Sequence, residues 1–97
     1  MAGSKRYEEG CAVTRITTAT TTQVKGGPGL LKRIVVNVPI SAGTISIIDN
    51  TSGTTVTHGV ITSTADLKPY VIECGYLMST GIRIITAQAQ DICVVYA

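Results

Sequence analysis

The sequence predicts an all-β fold, a single-domain antiparallel β-sandwich that is jelly-roll-like and has seven to eight short strands. Ile, Val and Thr fill 37 of the 97 positions, and β-branched side chains fit pleated strands better than helices. Apolar runs recur at short intervals and are separated by turn-forming residues. No window of the sequence combines a 3.6-residue hydrophobic period with helix caps.

The expected strands lie between six turn-like stretches, which read GGPG, PISAG, DNTSG, STADLKP, MSTG and AQAQD. The strands are expected at residues 12–18, 20–24, 30–38, 43–49, 54–61, 69–76, 82–87 and 91–96. Alternation of apolar residues supports several of them, as in Ile45 with Ile47, Ile82 with Ile84, and Ile92 with Val94. Since the chain lacks Phe and Trp, we expect an aliphatic core.

Several expected strands are apolar on both faces, which bears on how the protein associates. A monomeric sandwich normally shows polar residues on its outer faces. Apolar residues on both faces indicate either a closed core or an outer surface that is covered by other subunits, and the small size of a two-layer fold favours the second. The residues assigned to subunit packing are Leu31, Val35, Ile48, Ile85 and Val95.

The first eleven residues differ from the rest and are interpreted as an N-terminal arm, with the β-sandwich domain at residues 12–97. The stretch SKRYEEG holds four of the fourteen charged residues and a single large, partly apolar side chain, that of Tyr7. Such a segment is typical of a tail and not of a core.

Charge and cysteine content exclude several classes of protein. A net charge of +2 is too weak for the concentrated basic face of a nucleic-acid-binding domain. No apolar run approaches the length of a membrane helix, and the N-terminus shows no apolar core of a secretory signal. Three cysteines without CxxC spacing are expected to be reduced thiols of a protein made in a cytosol. A disulfide between Cys74 and Cys93 would require their strands to pair.

The basic residues gather in the first third of the chain, which contains six of the eight positive charges. They are Lys5, Arg6, Arg15, Lys25, Lys32 and Arg33. Three interpretations stay open: a solvated edge, contact with an acidic protein surface, or contact with nucleic acid. The last would need exposed aromatic residues for base stacking, and only Tyr7 is close in sequence.

The glycine-rich stretch KGGPG is interpreted as a turn. A phosphate-binding loop needs GxxxxGK followed by Ser or Thr and a helix, whereas here the strand-like LLKRIVVNV follows. In this interpretation a glycine supplies a positive φ and Pro28 fixes the bend.

No catalytic, cofactor-binding or metal site is predicted, and the chain is not expected to be an enzyme. His58 is the only histidine, so a hydrolase would have to use it. Cys74 lies in the middle of an expected strand, where cysteine commonly behaves as a small apolar residue. Asp49 opens the DNTSG turn, where Asp favours local backbone hydrogen bonds. An enzyme would instead require a pocket that contains His58 together with Cys74 or a carboxylate.

The chain from Thr22 to its C-terminus resembles the small virion proteins of tailed bacteriophages that decorate or cement the capsid. The resemblance lies in TQVKGGPGLLKRIVVNVP, GTISIID and STGIRIITAQAQDICVVYA. It implies a β-sandwich on the capsid exterior, often a homotrimer, that bridges neighbouring major capsid proteins. It also implies a virion protein that is made in the bacterial host cytoplasm and binds neither nucleic acid nor membrane.

Under this hypothesis the arm makes the capsid contact, with a weaker contribution from three basic residues of the domain. The residues concerned are Lys5, Arg6, Tyr7, Glu8, Glu9, Lys25, Lys32 and Arg33. The alternative is a head- or tail-fibre module that binds a host surface or carbohydrate. That alternative predicts exposed aromatic platforms, for which the domain supplies Tyr70, Tyr76 and Tyr96.

Overall fold

A computed structural model describes residues 11–41, 43–53, 56–62 and 68–97, and this part of the chain holds eight strands and no helix. The strands are β1 Ala12–Ile16, β2 Thr20–Lys25, β3 Gly29–Val38, β4 Thr44–Ile48, β5 Thr57–Thr62, β6 Tyr70–Met78, β7 Ile82–Thr86 and β8 Asp91–Tyr96. The all-β prediction is confirmed, and each expected strand corresponds to one of these eight. The predicted arm falls almost entirely on residues 1–10, which lie outside the described residues.

The strands form two four-stranded antiparallel sheets that pack together. Sheet A has the order β1-β8-β3-β6 and sheet B the order β2-β7-β4-β5. The first strand pairs with the last, β2 with β7, β3 with β6, and β4 with β5. This nested pairing is that of a jelly roll, in which the chain doubles back between β4 and β5 and its two halves wrap around the core together.

The core between the sheets is aliphatic, as the lack of Phe and Trp predicts. Eleven buried residues of both sheets make up one cluster: Ile16, Leu31, Ile34, Val36, Ile45, Ile47, Met78, Ile82, Ile84, Ile92 and Val94. Full burial of one such side chain stabilises the fold by about 1.5–3 kcal/mol. The alternation predicted for β4, β7 and β8 is confirmed, because the paired isoleucines and valines of each strand lie in this cluster.

A β-bulge in β3 turns Leu31 toward the core, which corrects the expectation that Leu31 faces outward. Leu31 aligns with Tyr96 of β8 and Arg33 aligns with Val95, so β3 has one residue more than its partner here. The extra residue puts Leu31 and Ile34, three positions apart, on one face. Leu31 is 0% exposed and offers no surface to a second subunit.

Ile48 is likewise 0% exposed, so the expectation that it presents a surface to another subunit is wrong. It pairs with Arg83 of β7, and the Arg83 side chain reaches the carbonyl of Thr51 just beyond β4. Val35 and Ile85 are half-buried and alternate with core residues, so they point away from the core. Their role in subunit packing stays a prediction.

The stretch KGGPG connects β2 to β3, and no helix follows it, so its interpretation as a turn is confirmed. The proposed reason was partly wrong, because the described glycines with positive φ are Gly53 and Gly75. Gly29 is required for another reason. A Cβ at this position would lie 2.6 Å from the Ala97 carbonyl oxygen, at the point where the backbones of Leu30 and Ala97 exchange hydrogen bonds.

Candidate interaction surface

The outer face of sheet A carries a band of apolar side chains that crosses all four strands. Strand register aligns its residues in two rungs, which read Val13–Val95–Arg33–Glu73 and Arg15–Cys93–Val35–Val71 from β1 to β6. Each of these residues lies next to an inward-facing residue and therefore points outward. We call these eight residues, together with Asn37 and Asp91 beyond the second rung, the sheet A face.

The two ends of the apolar band are open to solvent. Val13 on β1 and Val71 on β6 are each 51% exposed, whereas Val95 in the middle of the first rung is 9% exposed. The alternation of β6 could have identified Val71 as an outward-facing residue. Val71 and Glu73 lie at odd-numbered positions, and the even-numbered positions of this strand are the more buried. Val13 was missed because β1 is short and gives little alternation to read.

An ionic network fixes one end of the sheet A face. The guanidinium of Arg15 donates to both carboxylate oxygens of Asp91, with Nε to Oδ1 at 2.9 Å. Asn37 Nδ2 donates to the same carboxylate at 3.3 Å. The hydrogen bond from Arg15 holds the pKa of Asp91 below its usual value and raises that of Arg15. The network joins β1, β8 and β3 and keeps the Arg15 side chain on the surface, where it is 63% exposed.

A second ion pair, between Arg33 and Glu73, lies at the other end, with Arg33 Nε 3.3 Å from the carboxylate oxygens. The Glu73 side chain is 70% exposed. Of the basic residues predicted to contact the capsid, Lys32 and Arg33 lie in β3 of sheet A, whereas Lys25 ends β2 of sheet B. Lys5, Arg6, Tyr7, Glu8 and Glu9 belong to residues 1–10, outside the described part of the chain.

An open cleft of about 340 Å³ lies beside the sheet A face, at the end marked by Asp91. Its lining is mostly apolar and comprises Thr17, Val38, Pro39, Ile40, Ala89, Gln90 and Asp91. Val38 and Ile40 are 60% and 40% exposed. The cleft therefore extends the apolar character of this side of the molecule past the end of the strands.

Asp49 holds the turn between β6 and β7 through its carboxylate. Its oxygens accept the backbone N–H groups of Ser79, Thr80 and Gly81 at 2.8–3.2 Å, as well as the Ser79 hydroxyl. The N–H groups, that of Ser79 foremost, hold the pKa of Asp49 far below its usual value. Such a carboxylate stays ionised and is a poor proton acceptor. The sequence predicted local turn bonds for Asp49, but among the described residues its carboxylate bonds to a distant turn, and Asn50 makes the local bonds, to Thr51 and Ser52.

His58 is the extra residue of a bulge in β5, because Ile47 and Ile48 of β4 align with Gly59 and Thr57. Its Nε2 lies 3.7 Å from the buried carboxylate of Asp49. Its ring stacks on that of Tyr76 at a centroid distance of 5.1 Å. The structure thus brings His58 to a carboxylate that is already fully hydrogen-bonded.

The two strand cysteines occupy different environments and do not form a disulfide. Their strands do not pair, because β3 lies between β6 and β8, so the condition for a bridge is not met. Cys74 packs against the core, and burial raises the pKa of its thiol, which disfavours a nucleophilic thiolate. Cys93 lies in the middle of the sheet A face, with its Sγ 3.5 Å from Asn37 Nδ2.

The tyrosines named for a carbohydrate-binding alternative are not displayed on a surface. Tyr70, Tyr76 and Tyr96 are partly buried and pack against the core cluster, and Thr14 Oγ1 donates to the Tyr96 hydroxyl at 3.4 Å. Among the described residues, no three His, Cys, Asp or Glu side chains are grouped as metal ligands would be. That part of the chain also contains no helix long and apolar enough to span a membrane.

Comparisons with known proteins found no match for this chain among protein-family models, curated proteins or solved structures.

Proposed function

We propose that this chain is a bacteriophage capsid decoration, or cement, protein. In this proposal it binds the outer surface of the major capsid shell and stabilises the shell by bridging neighbouring capsomers, without a catalytic step. The observation that carries the proposal is the sheet A face, an apolar band on a small β-sandwich whose exposed ends are Val13 and Val71. A contiguous exposed apolar surface is typical of a protein interaction site.

The scaffold beneath this face supports the proposal because it is fixed by contacts between distant parts of the chain. The first and last strands pair, Arg15 is joined to Asp91, and Asp49 holds the turn that contains Thr80. A preorganised surface loses little conformational entropy on binding. A shell offers many identical sites, so that weak individual contacts become strong when a unit binds more than one of them.

The N-terminal segment is proposed as the part that contacts the capsid, through Lys5 to Glu9, with self-association proposed for the domain. Residues 1–10 lead into β1, which is an edge strand of sheet A. The segment therefore joins the domain at edge strand β1, which is one border of the sheet A face. A unit of two or more copies would present one N-terminal segment per copy to neighbouring capsomers.

The test is co-sedimentation with shells assembled from the major capsid protein of the phage that encodes the chain. We expect saturable binding of the full-length chain and a higher temperature of shell disruption. A variant that lacks residues 2–10 should keep its β-sheet circular dichroism and lose most of the binding. Folded, full-length protein that neither binds shells nor changes their disruption temperature would contradict the proposal.

A further inference from the structure

The strand edges of both sheets are poorly suited to pairing with another chain. β2 and β5 each contain a bulge against their neighbours, and β6 has Gly75 at a φ of +68° in its middle. β1 is only five residues long and carries Arg15. Short, bulged or charged edges are devices that oppose edge-to-edge association. An association surface should therefore be sought on the faces of the sheets.

The two outer faces differ in polarity. The sheet A face has five apolar residues among the eight of its two rungs, namely Val13, Val35, Val71, Cys93 and Val95. The corresponding rungs of sheet B read Thr21–Ile85–Ser46–Val60 and Gln23–Arg83–Ile48–Thr57, so three of these eight residues are apolar. The outer face of sheet B is therefore the more polar of the two, and one of its three apolar residues, Ile48, is 0% exposed.

The exposed charges of the sheet A face are arranged so that the face complements itself. Arg15 lies on edge strand β1 in one rung, and Glu73 lies on edge strand β6 in the other. These two side chains of opposite charge, 63% and 70% exposed, thus occupy opposite corners. A two-fold axis that lies in the plane between two such faces, perpendicular to the line joining these corners, would bring Arg15 of one copy to Glu73 of the other, twice.

We infer that the sheet A face binds the same face of a second copy of this chain, as a two-fold pair. Val35, Val95 and Cys93 lie near the axis. At each corner the ion pair of Asp91 and Arg15 from one copy would meet the ion pair of Glu73 and Arg33 from the other. In that order the four charges alternate in sign.

The whole outer side of sheet A, taken over the full length of its four strands, is large enough for a weak, concentration-dependent pair. The four strands of sheet A contain thirty residues, and at about 3.3 Å by 4.8 Å per residue they cover about 500 Å² per copy. Two copies would bury about 1,000 Å², at the lower limit of specific interfaces. The inference deepens the proposed function by naming the partner of this face: a pair would carry two N-terminal segments, one for each of two neighbouring capsomers.

The experiment is sedimentation velocity of the full-length chain over a wide concentration range, without shells, so that its outcome is independent of capsid binding. We expect a monomer–dimer equilibrium. Val71→Lys should weaken dimerisation about tenfold or more. The matched control is Val60→Lys, since Val60 is 59% exposed on edge strand β5 of sheet B, and it should leave the equilibrium unchanged.

Alkylation of Cys93 supplies a second readout that does not depend on a folded variant. In the wild-type chain the rate of Cys93 modification, followed by mass spectrometry, should fall as protein concentration rises, because pairing covers this thiol. A monomer at every concentration, a trimer, equal effects of the two lysine variants, or a concentration-independent Cys93 rate would each overturn the inference.

Discussion

The carboxylate of Asp49 accepts the backbone N–H of Thr80 at 2.8 Å, although the two residues are 31 positions apart in the chain. The same carboxylate also accepts the N–H groups of Ser79 and Gly81. Asp49 is only 5% exposed, so water cannot easily replace it as acceptor. One side chain at the end of β4 thus determines the geometry of the turn that connects the two sheets between β6 and β7.

Asp49→Asn should destabilise the fold clearly. The amide keeps one acceptor oxygen, but it loses the charge and turns an NH₂ group toward N–H donors. We expect the melting temperature, followed by circular dichroism, to fall by about 10 °C. The control is Asn50→Ala, which removes the exposed turn bonds to Thr51 and Ser52 and should lower the melting temperature by less than half as much. Equal losses would contradict the special role of Asp49.

The depressed pKa of Asp49 predicts loss of stability in acid. Because the pKa is lower in the folded chain than in the unfolded chain, the unfolded state binds more protons as the pH falls. The stabilisation is complete above the unfolded pKa of about 4 and is lost progressively below it. The Asp49 carboxylate should therefore leave the urea midpoint unchanged from about pH 7 to 5. Below about pH 4 the midpoint should decline. The decline should be shallower in Asp49→Asn, and identical profiles would contradict the assignment.

The strand positions could be predicted from sequence because their signals are local. β8 has the expected bounds, and the other strands differ from expectation by a few residues at their ends. β-branched runs such as IRIIT, bounded by turn residues, identify strands without any knowledge of the partner. The aliphatic core follows from composition alone.

The features that were missed depend on contacts between distant residues. The DNTSG turn contains both Asp49 and Asn50, and sequence does not tell which of them bonds locally and which reaches Ser79. The inward position of Leu31 depends on a bulge that is defined only by the neighbouring strand. The sheet A face likewise depends on register, since β1 and β6 are far apart in sequence and lie at opposite edges of one sheet.

Gly81→Ala should destabilise the turn at the Asp49 carboxylate. A Cβ at Gly81 would lie 2.9 Å from the carbonyl oxygens of both Asn50 and Lys25, and these backbone atoms cannot move away without disturbing the turn after β4 and the end of β2. We expect a loss of about 1–3 kcal/mol in the free energy of unfolding, measured with urea. Gly26→Ala is the matched control, because nothing lies within 4 Å of a Cβ there. It should change stability by no more than about 0.5 kcal/mol.

Ile84 and Ile85 are neighbours on β7 that should respond differently to truncation. Ile84 is 0% exposed within the core cluster, so Ile84→Ala should leave a cavity and cost about 2–5 kcal/mol. Ile85 is half-buried on the outer face of sheet B, and Ile85→Ala should cost about 1 kcal/mol. Urea unfolding of the two variants at one protein concentration measures both values. Since the total stability of a small domain is only about 5–15 kcal/mol, the first variant should lose a large share of it. Equal losses at the two positions would mean that β7 is buried on both faces, which would require a partner on sheet B.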